Sequence, residues 1–263
     1  MKNNPIGIFD SGVGGLSVAR SIRKILPNED IIYIADSYHA PYGNKSEEFI
    51  LNRSSFIIDY LISQKVKTIV VACNTATVNA IYKLRDKYSI PLIGVEPGIK
   101  PAIEASKNGT IGVLATEQTI NSSAFKNLLN NFIDQACIET QACPGLVELV
   151  ESQQLEGYEI KSILKKYTVP MLDKGVDTFV MGCTHFAFLT EILSGIIGSE
   201  FKIINTYKAV ANETFRKLKI NELLSSSNTS GDARFFSSNI QENTDLLFEK
   251  LWGKPVTVRR FVE

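Results

Sequence analysis

Apolar residues along this chain fall into short unbroken runs, separated by longer stretches in which they recur every three or four positions. The runs at 5–9, 31–35, 68–72 and 90–95 read as strands, and the stretches at 16–25, 47–64 and 75–87 as helices. In the second of these stretches Phe49, Ile50, Phe56, Ile57, Tyr60 and Leu61 form a helical stripe. Strand and helix in alternation predict right-handed βαβ units and a mostly parallel sheet. The strand runs show no polar alternation, as expected of a sheet covered on both faces. Glu96-Pro97-Gly98 breaks the pattern, with Pro101 close behind, and is read as a hinge. Beyond it, 110–114 and 177–181 resume as strands, the first leading into Ala115-Thr116 and the second into Gly182-Cys183-Thr184-His185. A polar loop at 225–231 precedes a strand at 233–237 and a last helix at 242–252.

Two segments recur. IGIFDS at Ile6 resembles IGVLAT at Ile111, 105 residues on, and IVVACNT ending at Thr75 resembles FVMGCTH ending at His185, 110 residues on. Similar offsets in the same order suggest two related α/β halves; chance likeness among apolar strands is the competing explanation.

Composition narrows the class. The chain has 263 residues, 44% of them hydrophobic, a length for one large domain or two modest ones. Lys+Arg and Asp+Glu are equal at 28 each, which argues against a polyanion-binding surface as the main role, so no nucleic acid partner is expected. No run approaches the ~18 apolar residues of a membrane span. The N-terminal MKNNPIGIF carries too short an apolar stretch for a signal peptide, so a cytoplasmic protein is expected. The four cysteines then read as reduced thiols.

In doubly wound sheets ligands bind beyond the carboxyl ends of the strands. There the chain places Asp10-Ser11, Asp36-Ser37, Cys73-Asn74-Thr75, Thr116 and Cys183-Thr184-His185. An isolated cysteine is most often an inert buried side chain. Cys73 and Cys183, however, hold equivalent places in the two halves, each before an expected helix N-terminus that lowers a thiol pKa. A shift from ~8.5 to ~7 needs about 2 kcal/mol, more than a helix end supplies, so a neighbouring group is required. His185 beside Cys183 and Asp10 beside Cys73 are the candidates. Neither cysteine has the paired spacing of a zinc site, and no metal is expected. Cys137 and Cys143 lack this context and are assigned to structure, with Cys143-Pro144-Gly145 a turn. The SGVGG turn at 11–15 matches no nucleotide-binding motif but suits a carboxylate. His39 reads as a surface histidine; Tyr42-Gly43 is either a plain turn or a source of donors to a ligand.

Taken together, GIFDSGVGGLSV from Gly7, ADSYHAPYGNKS from Ala35, VVACNTAT from Val70, GVEPGIKPA from Gly94, ACPGLVELVE from Ala142 and MGCTHFAFL from Met181 resemble the cofactor-independent glutamate racemases of the aspartate/glutamate racemase superfamily. The segments run in the family's order from Gly7 to Leu189, and RFFSSNIQENTDLL and VTVRRF are similar to its closing strand, helix and strand.

The resemblance implies two Rossmann-like α/β domains with mostly parallel sheets, related by pseudo-twofold duplication, with the active site in the cleft between them. The first domain would comprise 1–96 plus 207–263 and the second 97–206. The family's catalytic cysteines fall on Cys73 and Cys183, and its assisting acid and histidine on Asp10 and His185. Its substrate contacts fall on Asp10, Ser11, Tyr42, Gly43, Asn74, Thr75, Thr116, Thr184 and His185. The acid closing the LVE segment falls on Glu151, with Glu148 nearby as a competitor for the role. The first cysteine is usually given the D-substrate. The implied reaction interconverts L- and D-glutamate by a two-base thiolate/thiol transfer at Cα with no cofactor, supplying D-glutamate for peptidoglycan. An aspartate or broad-specificity racemase is the nearest alternative, and an amino-acid binding protein without turnover a more distant one. Family members often pair, so a homodimer is among the expectations. Two departures, Phe186-Ala187-Phe188 after GCTH and Asn205-Thr206 where Asp-Ser is common, lie beside the catalytic positions and not on them.

Overall fold

The structure, a computed structural model, describes residues 2–262; Met1 and Glu263, the outermost residues of the expected first domain, lie outside the described residues. Its strands are β1 (Ile6–Asp10), β2 (Ile31–Ala35), β3 (Thr68–Val71), β4 (Leu92–Gly94), β5 (Thr110–Ala115), β6 (Cys137–Ala142), β7 (Thr178–Met181), β8 (Lys202–Ile204), β9 (Ala233–Ser237) and β10 (Val258–Arg260). The helices are α1 (Leu16–Ile25), α2 (Glu47–Ser63), α3 (Asn74–Lys87), α4 (Ile99–Ala105), α5 (Glu117–Asn121), α6 (Ser123–Asn130), α7 (Leu146–Glu151), α8 (Tyr158–Asp173), α9 (Thr190–Ile197), α10 (Tyr207–Ile220) and α11 (Thr244–Trp252). Two sheets result, ordered β10-β9-β2-β1-β3-β4 and β6-β5-β7-β8, with every strand pair parallel.

The duplication is written into this order. The segment β2-β1-β3-β4 of the first sheet repeats as β6-β5-β7-β8 in the second. The register repeats as well: Ile6 pairs with Thr68 and Ile111 with Thr178, each the start of its ladder. The C-terminal β9 and β10 extend the first sheet through β2.

Burial explains why the strand runs are apolar throughout. On one face of the first sheet, Ile6, Ile8, Ile31 and Tyr33 pack with Leu16, Ala19 and Ile22 of α1 and Leu247 and Phe248 of α11. On the other, Phe9, Ile32, Ile34 and Ile69 meet Ile50, Ile57 and Leu61 of α2 and Ala80 and Leu84 of α3. The second sheet is sandwiched likewise, Ile111 and Val113 against Ile99 and Phe125, and Phe179 and Met181 among Leu164, Met171 and Leu193. Each fully buried side chain of this size contributes about 1.5–3 kcal/mol.

Two elements depart from the expectation. The break at 96–98 is followed at once by α4, because Pro101 falls in its first turn, where no backbone N–H is required. The β6 strand, Cys-Ile-Glu-Thr-Gln-Ala, has no apolar run, since it is the half-exposed edge of the second sheet. The chain crosses between sheets twice, after β4 and after β8, and the crossings touch: a Cβ on Gly98 would lie 3.1 Å from Ile204 and 3.3 Å from Thr206.

Candidate active site

The carboxyl ends of β1 and β3 face those of β5 and β7, and the buried polar residues collect between them. Asp10 ends β1 and is fully buried. Its Oδ2 accepts from Gly15 N (2.6 Å) and from the Thr184 hydroxyl (3.2 Å), and lies 4.0 Å from His185 Nδ1. Its Oδ1 is buried without a hydrogen-bond partner. Burial raises the Asp10 pKa against the opposing pull of His185 and the Gly15 amide.

Cys73 is the N-cap of α3: its sulfur accepts from Ala76 N (3.4 Å), and its thiol points to Ser11 Oγ (3.6 Å). The lowered thiol pKa expected from the helix end is overturned. Burial pushes the Cys73 thiol up, the Asp10 charge adds to this, and the Ala76 amide and Ser11 only partly oppose it. An anionic neighbour holds a proton on a thiol; it does not remove one. Cys183 also raises the Cys73 pKa through space, so the two sulfurs share one electrostatic site.

Cys183 stands in a different setting. It heads a 3-10 segment, Thr184–Leu189, where an α-helix N-terminus was expected, and its side chain makes no cap hydrogen bond. Its sulfur lies 3.9 Å from His185 Nδ1. Burial disfavours a charged His185, but the sulfur, Glu151 and Asp10 together overcome it and raise the pKa well above the ordinary value. On the far side of the ring, Nε2 lies 2.6 Å from Glu151 Oε1.

Glu151, at the end of α7, is what the SGVGG turn receives: Oε1 accepts from Val13 N (2.7 Å) and Oε2 from the Ser37 hydroxyl (3.0 Å). Glu148 is exposed one turn earlier. The glycines of the turn follow from this contact. A Cβ on Gly12 would fall 1.9 Å from Glu151 Oε1, and one on Gly14 2.6 Å from the backbone nitrogen of His185.

The remaining expected residues gather nearby. Asn74 donates to Val95 O (3.2 Å) and leaves its buried Oδ1 without a partner. Thr75 Oγ1 lies 2.8 Å from Thr116 Oγ1 and 3.2 Å from Thr119 Oγ1, closing a hydroxyl triangle between α3 and α5. Gly43 abuts Thr116, where a Cβ would come within 2.8 Å of the threonine Cβ. The Tyr42 hydroxyl is not free for a ligand, because it donates to Asp36 Oδ2 (2.7 Å). Asp36 also takes a two-pronged bond from Arg53 (both 2.8 Å) and holds His39 at 3.1 Å. Burial opposes the Asp36 charge, but Arg53 and Tyr42 keep its pKa below the usual carboxylate range. Thr119 and Arg53 escaped the sequence reading. Thr119 was detectable as the third residue after the Thr116 cap, whereas Arg53, seventeen positions from its partner in a helix, left no local signal.

Duplicate parallel sheets that each present a buried thiol beyond a strand end, with titratable side chains around them, are an arrangement able to move a proton. Residues 6–214 match the family model for Asp/Glu/hydantoin racemases. A glutamate racemase from Pseudomonas aeruginosa PAO1 is 43% identical over 263 residues, covering 100% of this chain and 99% of its own. The Francisella tularensis glutamate racemase, solved in complex with D-glutamate, superposes with a TM-score of 0.88 at 30% identity, covering 100% of this chain and 98% of that one. The Escherichia coli glutamate racemase, solved with L-glutamate and the activator UDP-MurNAc-Ala, does so at 0.84 and 33% identity, covering 98% and 97%. The chain belongs to the Asp/Glu/hydantoin racemase family and, within it, to the glutamate racemases. Among the described residues no helix is long and apolar enough to cross a membrane.

Proposed function

We propose that this chain interconverts L- and D-glutamate by passing the α-proton between Cys73 and Cys183, assisted by Asp10 and His185. The observation that carries the reading is the buried relay at the facing strand ends, running from Glu151 through His185 to both Asp10 and the Cys183 sulfur. Racemisation removes a proton from one face of Cα and returns one to the other, which two opposed groups accomplish without moving. In the resting arrangement burial and the Asp10 charge hold the proton on Cys73, while the His185 ring stands 3.9 Å from the Cys183 sulfur, placed to exchange a proton with it. Cys183 then takes the proton of L-glutamate while Cys73 delivers its own to the opposite face. D-glutamate leaves with the protonation states exchanged, ready for the reverse reaction.

Such proton transfer contributes about 10²–10⁴ in rate. Stabilisation of the developing charge supplies the rest, from Ser11, Asn74, Thr75, Thr116 and Thr184 and the backbone of Tyr42-Gly43, in a water-poor cleft. Glu151 orients His185. The enantiomers have equal free energy in solution, so the reaction needs no energy source, and in the two-base scheme the thiols act without a cofactor. The two lobes are taken as 1–96 with 207–263, and 97–206. The product would feed peptidoglycan synthesis in the cytoplasm, from a chain that pairs as a homodimer.

The test is incubation with L-glutamate in D₂O without added cofactor. Loss of optical rotation with matching deuterium at Cα is expected. Binding of glutamate without exchange would overturn the reading in favour of a binding protein. Faster turnover of aspartate or alanine would reassign the substrate.

A further inference from the structure

The opposite end of the first sheet carries a second chemistry. Where β9 and β10 begin, far along their strands from the tips that bear Asp10 and Cys73, lies a hollow of about 390 Å³. Arg23, Arg234, Lys254 and Arg259 line it, against a single lining carboxylate, Asp232. The chain as a whole balances 28 cations with 28 anions, so an excess of four to one is a local construction.

Of the four cations, Arg23 feels the charges of Asp30, Asp232 and Glu29. Glu29 pairs with Lys67 and accepts from Ser225 N (2.7 Å), and Asp30 accepts from Asp232 N (2.7 Å). Arg23 is fixed by bonds to Pro27 O and Asp232 O, both 2.7 Å. Arg234, Lys254 and Arg259 form no ion pair among the described residues. Such side chains are donors only, and the arginine fork matches the oxygens of a phosphate group. One wall is Trp252, its ring 5.1 Å from Phe235. The volume falls in the ~300–1,000 Å³ range of small-molecule pockets and exceeds what a bare phosphate fills.

We propose that this hollow binds a small phosphorylated molecule, its phosphate held by Arg234, Lys254 and Arg259 and its organic body lying against Trp252. The site is independent of the glutamate cleft.

Calorimetric titration of the full chain tests it, with ADP as a probe carrying both phosphate and ring, and inorganic pyrophosphate as a probe of charge alone. One saturable ADP site is expected, tighter than pyrophosphate and unaffected by saturating glutamate. The Arg234→Gln/Arg259→Gln double variant should bind ADP about tenfold or more weakly while racemising glutamate at the parent rate. If circular dichroism shows that variant to be unfolded, Lys254→Gln and Arg259→Gln singly carry the test, each expected to weaken ADP about threefold. The proposal is overturned by absence of saturable binding at millimolar probe, by unchanged affinity in the folded variants, or by displacement with glutamate. Tighter binding of duplex DNA or anionic vesicles than of either probe overturns it too.

Discussion

The two thiols occupy topologically equivalent strand ends, yet their surroundings have diverged. Cys73 caps an α-helix and is held neutral by burial and a nearby carboxylate. Cys183 opens onto a 3-10 segment that curls His185 back over its own sulfur. Strand order and register repeat between the lobes, so the difference arises after the strands end, in the few residues that follow each cysteine: Asn-Thr-Ala in one case, Thr-His-Phe in the other. Duplication supplies two equivalent strand ends, and local sequence gives each thiol different neighbours, a carboxylate and a helix amide at Cys73 and an imidazole at Cys183.

Breaking the symmetry outright should have the largest effect. Cys73→Ser and Cys183→Ser are each expected to lower kcat about 10³-fold, read as racemisation in D₂O; full activity in either sinks the two-base scheme. Next, His185→Asn should cost about 10²-fold, because it removes the titratable ring that stands 3.9 Å from the Cys183 sulfur. Its signature is a primary isotope effect that grows with α-deuterated L-glutamate more than with the D-enantiomer, since only the former is deprotonated on the altered side.

Glu151→Gln should cost about tenfold in kcat, the rate equivalent of about 1.4 kcal/mol, and should also change the pH dependence of stability. The His185 pKa is raised on folding, so its contribution is complete below the unfolded value of about 6.5 and is lost as pH rises through the folded one. The difference in unfolding midpoint between parent and variant should therefore shrink as pH increases from about 6.5; a difference that widens contradicts the assignment. The smallest effect is expected from Thr119→Val, which opens the hydroxyl triangle at its rear corner. KM should rise roughly threefold with kcat nearly unchanged, because Thr75 and Thr116 still face each other at 2.8 Å.

Much of this was readable in advance where the physics is local. The helix Leu16–Ile25 and the strands Ile31–Ala35 and Ala233–Ser237 fall where the apolar pattern put them, and Ile31–Ala35 is apolar throughout because every one of its residues is buried. The placement of Asp10, Cys73 and Cys183 at strand tips followed from the same runs. Long-range electrostatics was not readable. The direction of the Cys73 shift depends on how deeply the thiol is buried and on a carboxylate 63 positions away. Likewise, the contacts that Glu151 makes with Val13 and Ser37, more than a hundred residues upstream, have no local signature in the sequence. The edge strand β6 was missed for a simpler reason: half-exposed, it needs no apolar run.

The carboxylate of Glu151 is gripped from both lobes, by Val13 and Ser37 on one and His185 on the other. A swing about the paired crossings at Gly98 and Thr206 that admitted glutamate would pull this grip apart and leave the imidazole slack. In the proposed scheme, holding the imidazole and holding the two sheets together at this point would rest on one and the same carboxylate.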